Sequence, residues 1–559
     1  MTRPTIMCSQ EAASTGQYLA TQAAMEILVQ GGNAVDAGVA AGIALGVVEA
    51  SHVSVGGVAP IIIKMADAAV PVTIAGLGVW PRKADCAALR QHFGDVVPRG
   101  VLRTVTPAAP AAWIEALRRF GTMSFADVAT AAIRLARDGF PVTQLFHDTI
   151  RGGMTTLAAW PSSAALLLPG GRPPQLGTLF VNTDTADALQ YMAHEDRAGS
   201  REGREAGLTR ARDAFYRGDI AHKIAAFMAA EGGLLELDDL AEYEVEVGEA
   251  VHARFGDVDV FGCGPWCQGP MLLQMLTMLE AASLDGLPHN SVPYLHLITE
   301  IIRLAAGDRE RYYGDPSFVA VPLERLLSKD HAHSLAASID RNAAMPPFGD
   351  PATAPLLVGA ELDTSFVAVI DRFGNAFAAT PSDGCTGAPI VPGLGFLASG
   401  RGGQSWTDPA HPSAIAPGKR PRLTPNPAIA VREGGFQMPF GTPGHDAQAQ
   451  VMLQVFVNLI HFGMTPQEAV SAPRVISLDF PSSAMPHAVR VGLLFVEAEL
   501  GAETLDGLSA LGHDARLWPQ DGPDYAENLS SACLVRKDFT TGVISAAADH
   551  RRPAYAIGR

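Results

Sequence analysis

Near residue 360 the chain changes texture, and any fold has to accommodate both textures. Upstream, helical patterns dominate. Residues 17 to 30 (QYLATQAAMEILVQ) predict an amphipathic helix that stops at Gly31-Gly32, and Asn33 is placed to cap a second helix running through Val48. Two β-like runs follow, Ala59 to Lys64 and Pro71 to Ala75. At Ser124 the spacing Ser-Phe-Ala-Asp is close to a capping box and opens a helix to about Arg137, ahead of Gly139-Phe-Pro. Residues 195 to 213 are charged and punctuated by glycine, which reads as a solvated loop or insertion. Downstream, Ser365 to Ile370 and Ala376 to Thr380 flank the turn Asp371-Arg-Phe-Gly374, a hairpin signal. Residues 381 to 426 are rich in Gly, Pro and Ser, and two helix-length apolar stretches follow GTPGHD. A long Gly/Pro loop system interleaved with strand signals favours a functional role, so the second half reads as a site-bearing sheet.

Composition narrows the function classes. The 559 residues carry a formal charge of −17, with 48% hydrophobic and only 18% charged residues. That is ample apolar material for a large core, which excludes disorder. An acidic chain without a Lys/Arg stripe repels phosphate, so no nucleic-acid partner is expected. The longest candidate membrane stretch, Ala37 to Val48, is well short of the ~20 apolar residues a spanning helix needs, and no membrane partner is expected. Six scattered cysteines do not make a disulfide framework, and the start MTRPTIMCSQEAAS has no export signal, so the cytoplasm is the expected location. Cys263 and Cys267 have no second Cys or His pair nearby, and no HExxH, GxSxG, Walker loop or dinucleotide fingerprint occurs. Neither a metal nor an organic cofactor is expected. Cys385, in DGCTG, reads as a small buried thiol beside a turn.

Thr364 follows the acidic segment GAELD and directly precedes the strand pattern SFVAVID. Cleavage of the Asp363–Thr364 bond would expose a hydroxyl and, on the same residue, an α-amine of pKa near ~8. Such an amine accepts the hydroxyl proton near neutral pH, so one residue supplies nucleophile and base.

Residues 31 to 49 (GGNAVDAGVAAGIALGVVE), 124 to 141, 214 to 218 (AFYRG), 232 to 240, 417 to 421 (PGKRP), 441 to 444 (GTPG) and 472 to 474 (APR) together resemble the γ-glutamyltranspeptidase family, in family order from about residue 8 to 558. The resemblance implies an α+β fold, the four-layer αββα sandwich of N-terminal nucleophile hydrolases, made as a precursor that cuts itself before a threonine. In this sequence that threonine is Thr364, in DTSFVAVIDRFGNA. Residues 1–363 and 364–559 would then be two associated subunits of one structural domain, an αβ heterodimer able to pair further. Ser382, in ATPSDG, matches a second hydroxyl residue that hydrogen-bonds the nucleophile; the alternative is a turn-stabilising serine. Gly444 and His445 match the Gly-Gly pair whose backbone N–H groups form the oxyanion hole. Only the backbone is needed there, so histidine at the second position is compatible with the hole while adding a titratable ring. A purely structural histidine is the other reading.

Substrate recognition departs from the family pattern. True γ-glutamyl enzymes of the family grip the α-carboxylate with an arginine and the α-ammonium with an acidic side chain. Here these positions fall at Leu77 and Gln404, and the family's paired serines correspond to Leu423 and Thr424. A γ-glutamyl substrate is disfavoured, each lost charge-assisted bond removing about 1.5 to 3 kcal/mol. The same loop gains Arg401, able to hold a carboxylate bidentately or to pair with an acidic neighbour. SGRGGQSW and GTPGHDAQAQ are similar to the branch that includes oxamate amidohydrolase. The expectation is a self-processing amidohydrolase acting on a small carboxylate-bearing amide such as oxamate, with water as acceptor. Alternatives are an acylase or γ-glutamyl hydrolase/transferase acting on a larger acyl substrate, and a processing-defective binding protein. Trp266, Gln268 and Trp406 are candidates for the pocket wall or for packing.

Overall fold

The computed structural model describes residues 3–348, 364–519 and 530–559. Its first helices follow the local chemistry of the sequence. Gln17 caps Tyr18–Val29 by accepting from the Leu19 amide, and Asn33 caps Ala34–Val48 in a reciprocal box with Asp36. The second helix has no polar face, and all its residues are buried, as all-round apolarity requires. It is also tied to the second half: the Ala34 amide donates to the Asp371 carboxylate at 2.9 Å. The expected hairpin turn therefore caps a helix from the other end of the sequence.

Two seven-stranded sheets, with every strand pair antiparallel, form the centre. The first runs Tyr555–Gly558, Ala12–Thr15, Val367–Ile370, Ala376–Ala379, Ile61–Lys64, Val72–Ile74, Val247–Glu249. The second runs Ile6–Cys8, Ile544–Ala548, Cys533–Asp538, Phe436–Gly441, Ala428–Arg432, Val258–Gly262, Val251–Phe255. Each sheet thus draws strands from both sides of residue 360. Strand alternation sorts the core into three layers. Val367 and Val369 face helices Tyr18–Val29 and Ala34–Val48; Ala368 and Ile370 face Ile429, Val535 and Ala546 of the other sheet; Ala430, Met438 and Phe440 face helices Gly269–Ala282, Val292–Tyr312 and Gln448–Ile460. The result is helices, sheet, sheet, helices: the expected four-layer αββα sandwich. Among the described residues no helix is long and apolar enough to cross a membrane.

Two local expectations change. The Ser124 helix is divided at Ala129 into Phe125–Val128 and Thr130–Asp138. Residues 195 to 213, expected as a solvated loop, instead belong to helices Thr183–Gly199 and Arg204–Tyr216, with one 3-10 turn between them. Their glycines are contact residues: a Cβ on Gly199 would stand 2.9 Å from the Gly207 Cα and 2.7 Å from the Ala206 carbonyl. Asp196 is buried and accepts from the Ala126 amide at 3.0 Å. Helices crossing this closely require glycine, so here it marks contact and not a loop.

Candidate active site

Val367 pairs with Ala379 and Ile370 with Ala376, and the same register, continued past the strand ends, sets Thr364 opposite Ser382. The Ser365 amide accordingly donates to the Pro381 carbonyl at 2.9 Å, and the Thr364 and Ser382 hydroxyls meet at 2.6 Å. Thr364 is fully buried, with φ +85°, a conformation strained for a β-branched residue. Its amide donates to the His52 carbonyl at 2.9 Å, and its carbonyl accepts from Arg552 Nη1 at 3.0 Å. Asp363 is outside the described residues. Around the nucleophile candidate stand two titratable groups with no distinguishing sequence signal. Burial pushes the Glu49 carboxyl up to about 7, partly offset by the Ser365 hydroxyl and Arg552. Burial and Arg552 hold His52 well below the usual histidine range, and its Nδ1 bonds the Ser51 hydroxyl at 2.8 Å.

Ser382 leads to Arg401, whose Nη2 donates to the Ser382 hydroxyl. Arg401 is only 3% exposed, and its Nε lies 3.5 Å from Asp383 Oδ1. The Asp383 carboxylate also accepts from the Ser399 hydroxyl at 2.7 Å and the Gly400 amide at 3.1 Å. Arg401 begins the 3-10 turn Arg401–Gln404, seated where no Cβ fits at Gly402: it would lie 2.4 Å from the Arg103 carbonyl and 2.7 Å from the Trp80 ring.

Gln404, at the far end of that turn, joins the other half of the site. Its Oε1 accepts from the Thr424 amide at 3.1 Å; because an amide N–H only donates, this fixes the side-chain orientation. Nε2 then donates to Thr424 Oγ1 at 3.3 Å and to His445 Nε2 at 3.2 Å. His445 Nε2 is therefore an acceptor, and Nδ1 carries the proton that it gives to Asp446 Oδ2 at 3.0 Å. Burial alone would raise the Asp446 carboxyl, but Arg309, at 2.5 Å, and His445 hold it well below the usual range. Gly444 has φ +119°, and a Cβ there would meet the Ser530 hydroxyl at 2.3 Å. It precedes the turn His445–Ala447 and helix Gln448–Ile460, so the backbone N–H groups of this corner stand at a helix N-terminus.

The structure thus strings the residues singled out in the sequence along two linked chains of contacts, Thr364–Ser382–Arg401 and Gln404–Thr424–His445, joined by one 3-10 turn. Gln268 joins the second chain: its Nε2 donates to the Thr424 and His445 carbonyls, both at 3.4 Å, and its Oε1 accepts from Arg309 at 3.0 Å. Leu77, Leu423, Trp266 and Cys267 pack with Val58, Ala75 and Cys263 in one buried apolar cluster. Trp406 is stacked between His411 and His487, centroids 3.9 and 3.8 Å away, and so belongs to packing. Burial pushes the Cys385 thiol up to about 12, consistent with an unreactive buried thiol. Sequence reasoning missed Asp446 and Arg309. The first stands beside His445 in GHD and could have been found as its ring partner; the second, in a helix more than 130 residues away, has no local signal.

Two antiparallel sheets packed face to face, helices on both outer sides and a buried hydroxyl pair at the entry to a central strand form the frame of an N-terminal nucleophile hydrolase. The solved cephalosporin acylase from Bacillus halodurans superposes on the chain with a TM-score of 0.85 at 26% identity, covering 100% of this chain and 97% of that one. The Acylase ACY 1 proenzyme of Pseudomonas sp. (strain SE83) is 35% identical over 82% of this chain and 81% of its own. The oxamate amidohydrolase proenzyme of Klebsiella pneumoniae is 27% identical over 97% of both. The family model described as Gamma-glutamyltranspeptidase matches residues 20–559, and the chain belongs to that family, as an N-terminal nucleophile amidohydrolase.

Proposed function

We propose that the chain is a self-processing acylase: it cuts its own backbone between Asp363 and Thr364 and then hydrolyses the amide of an acyl group that is uncharged where it meets the pocket wall. In this reading residues 1–363 and 364–559 stay associated as an αβ heterodimer. The Thr364 hydroxyl attacks the amide carbonyl while the freed α-amine takes its proton, and Ser382 orients the hydroxyl. The backbone N–H groups of Gly444 and His445 hold the oxyanion, the amine leaves with the proton, and water resolves the acyl-enzyme.

The observation that carries the substrate class is the apolar cluster. Leu77 and Leu423, which stand where γ-glutamyl enzymes keep an arginine and a serine, are 1% exposed and packed against Trp266. In this reading the cluster backs the acyl pocket, and a bare α-carboxylate set against it would lose its water without gaining a partner. The names of the acylase relatives point the same way. A second reading, a small carboxylate-bearing amide such as oxamate, is favoured by the Arg401 guanidinium at the Ser382 hydroxyl, one residue from the nucleophile. Against it, the charge of Arg401 already faces Asp383.

Denaturing electrophoresis tests processing. Two bands with a junction at Thr364, replaced by one full-length band in Thr364→Ala, are expected; a single band for both proteins refutes the reading. Amine or ammonia release over a panel of acyl amides, oxamate, glutamine and glutathione tests the substrate class. Acyl amides should turn over best, and preference for glutathione overturns the argument from the apolar wall. Hydroxylamine trapping separates hydrolysis from transfer.

A further inference from the structure

Helix Val292–Tyr312 carries His296 and Glu300 four residues apart, on one face. His513, just ahead of strand Asp514–Leu517, reaches the same point from the other end of the chain. All three are buried, and one possible ligand atom from each lies within 4.8 Å of the others. His296 Nε2 donates to the Asp340 carbonyl at 2.8 Å, which leaves Nδ1 as a lone pair aimed at His513 Nε2, 2.8 Å away. An imidazole whose outer N–H is fixed on a backbone carbonyl has the arrangement metal-ligating histidines adopt. His513 Nε2 lies 4.0 Å from Glu300 Oε1, while Glu300 Oε2 accepts the Met345 amide at 3.0 Å. Arg303 bridges Glu300 at 2.8 Å and Asp479 at 2.7 Å. Two carboxylates thus share one guanidinium in a buried place, a local charge of −1 that attracts a cation.

We propose that His296, Glu300 and His513 bind one divalent transition-metal ion of the zinc type, through His296 Nδ1, His513 Nε2 and a Glu300 oxygen. Metal–nitrogen bonds of about 2.0–2.1 Å in a tetrahedral shell put the two nitrogens about 3.3 Å apart. The His296–His513 pair, 2.8 Å apart, has to open by about half an ångström, and the Glu300 carboxylate, 4.0 Å from His513 Nε2, has to move in toward both nitrogens. On binding, His513 gives up the proton on Nε2 and holds one on Nδ1 instead, so the imidazole stays neutral and its lone pair turns to the metal. The ion would tie the helix to His513 and, through the Asp340 carbonyl and the Met345 amide, to residues 340–345. The site is structural. His296 is separated from Arg309, the helix's link to Asp446, by about 20 Å of helix axis. The inference is therefore independent of the reading of Thr364.

The test uses full-length protein stripped with a chelator, re-equilibrated with Zn2+ or Co2+ and freed of excess ion. Expected are one ion per chain, visible ligand-field bands for Co2+, an X-ray absorption spectrum showing two imidazoles and one carboxylate, and a raised thermal midpoint. His513→Ala should lose the ion and the midpoint shift while processing is unchanged. Absence of bound ion in the unsubstituted protein overturns the proposal, as does undiminished binding by His513→Ala. Should that variant not fold, the absorption spectrum of the unsubstituted protein decides: a shell without two imidazoles overturns it.

Discussion

Replacing Arg401 by alanine tests whether its charge serves the protein or the substrate. The guanidinium is 3% exposed, donates to the Ser382 hydroxyl and faces Asp383 Oδ1 at 3.5 Å. Its removal takes the Arg401 charge away from Asp383, also 3% exposed, while the bonds to Ser399 and Gly400 stay. Breaking one side of a buried pair costs about 3–5 kcal/mol, and the hydrogen bonds from Ser399 and Gly400 keep the expected loss at the lower end, about 3 kcal/mol. Removing Asp383 as well takes away the carboxylate that Arg401 faces, so the double variant should recover part of the loss. The coupling energy in a double-mutant cycle should exceed about 1 kcal/mol. Loss of the charged donor on Ser382 should also lower kcat for every substrate, by about 10- to 150-fold if the bond contributes about 1.5–3 kcal/mol in the transition state. Urea unfolding of the four proteins and steady-state kinetics on oxamate and a neutral acyl amide measure both effects. Additivity within about 0.5 kcal/mol, with a raised KM for oxamate alone, would refute the argument and return Arg401 to the substrate.

Two further variants probe other parts of the site. Gly444→Ala forces a Cβ to within 2.3 Å of the Ser530 hydroxyl at φ +119° and should cost about 10²–10³ in kcat through loss of oxyanion geometry. Near-normal kinetics with an unchanged circular dichroism spectrum would remove Gly444 from the hole. Burial raises Glu49 from the ordinary 4.5 to about 7, so between those pH values the folded chain binds more protons than the unfolded one. Stability contributed at this residue is therefore full below about pH 4.5 and falls by about 3 kcal/mol as pH rises to about 7, and Glu49→Gln should remove that slope. Urea midpoints of both proteins across this range check it; parallel pH profiles would show that Glu49 is an ordinary ionised carboxylate.

The parts of this molecule legible in the sequence are those set by neighbours along the chain. Asn33 reads as a cap because its partners are two and three residues away. The Asp371–Gly374 turn reads as a hairpin, and its register alone brings Thr364 and Ser382 face to face. Tertiary structure decided what depends on residues far apart. Glycines at 199 and 207 look like helix breakers until a second helix crosses them. The exposed-looking Arg401 in SGRGGQ becomes a buried partner of Ser382 and Asp383. The proton on His445 is assigned only once Gln404, Thr424 and Asp446 surround it, and His513 meets His296 across 217 residues. Backbone caps and registers are short-range hydrogen-bond patterns. Burial, protonation and ion pairing depend on which distant groups replace water, and only the folded chain determines that.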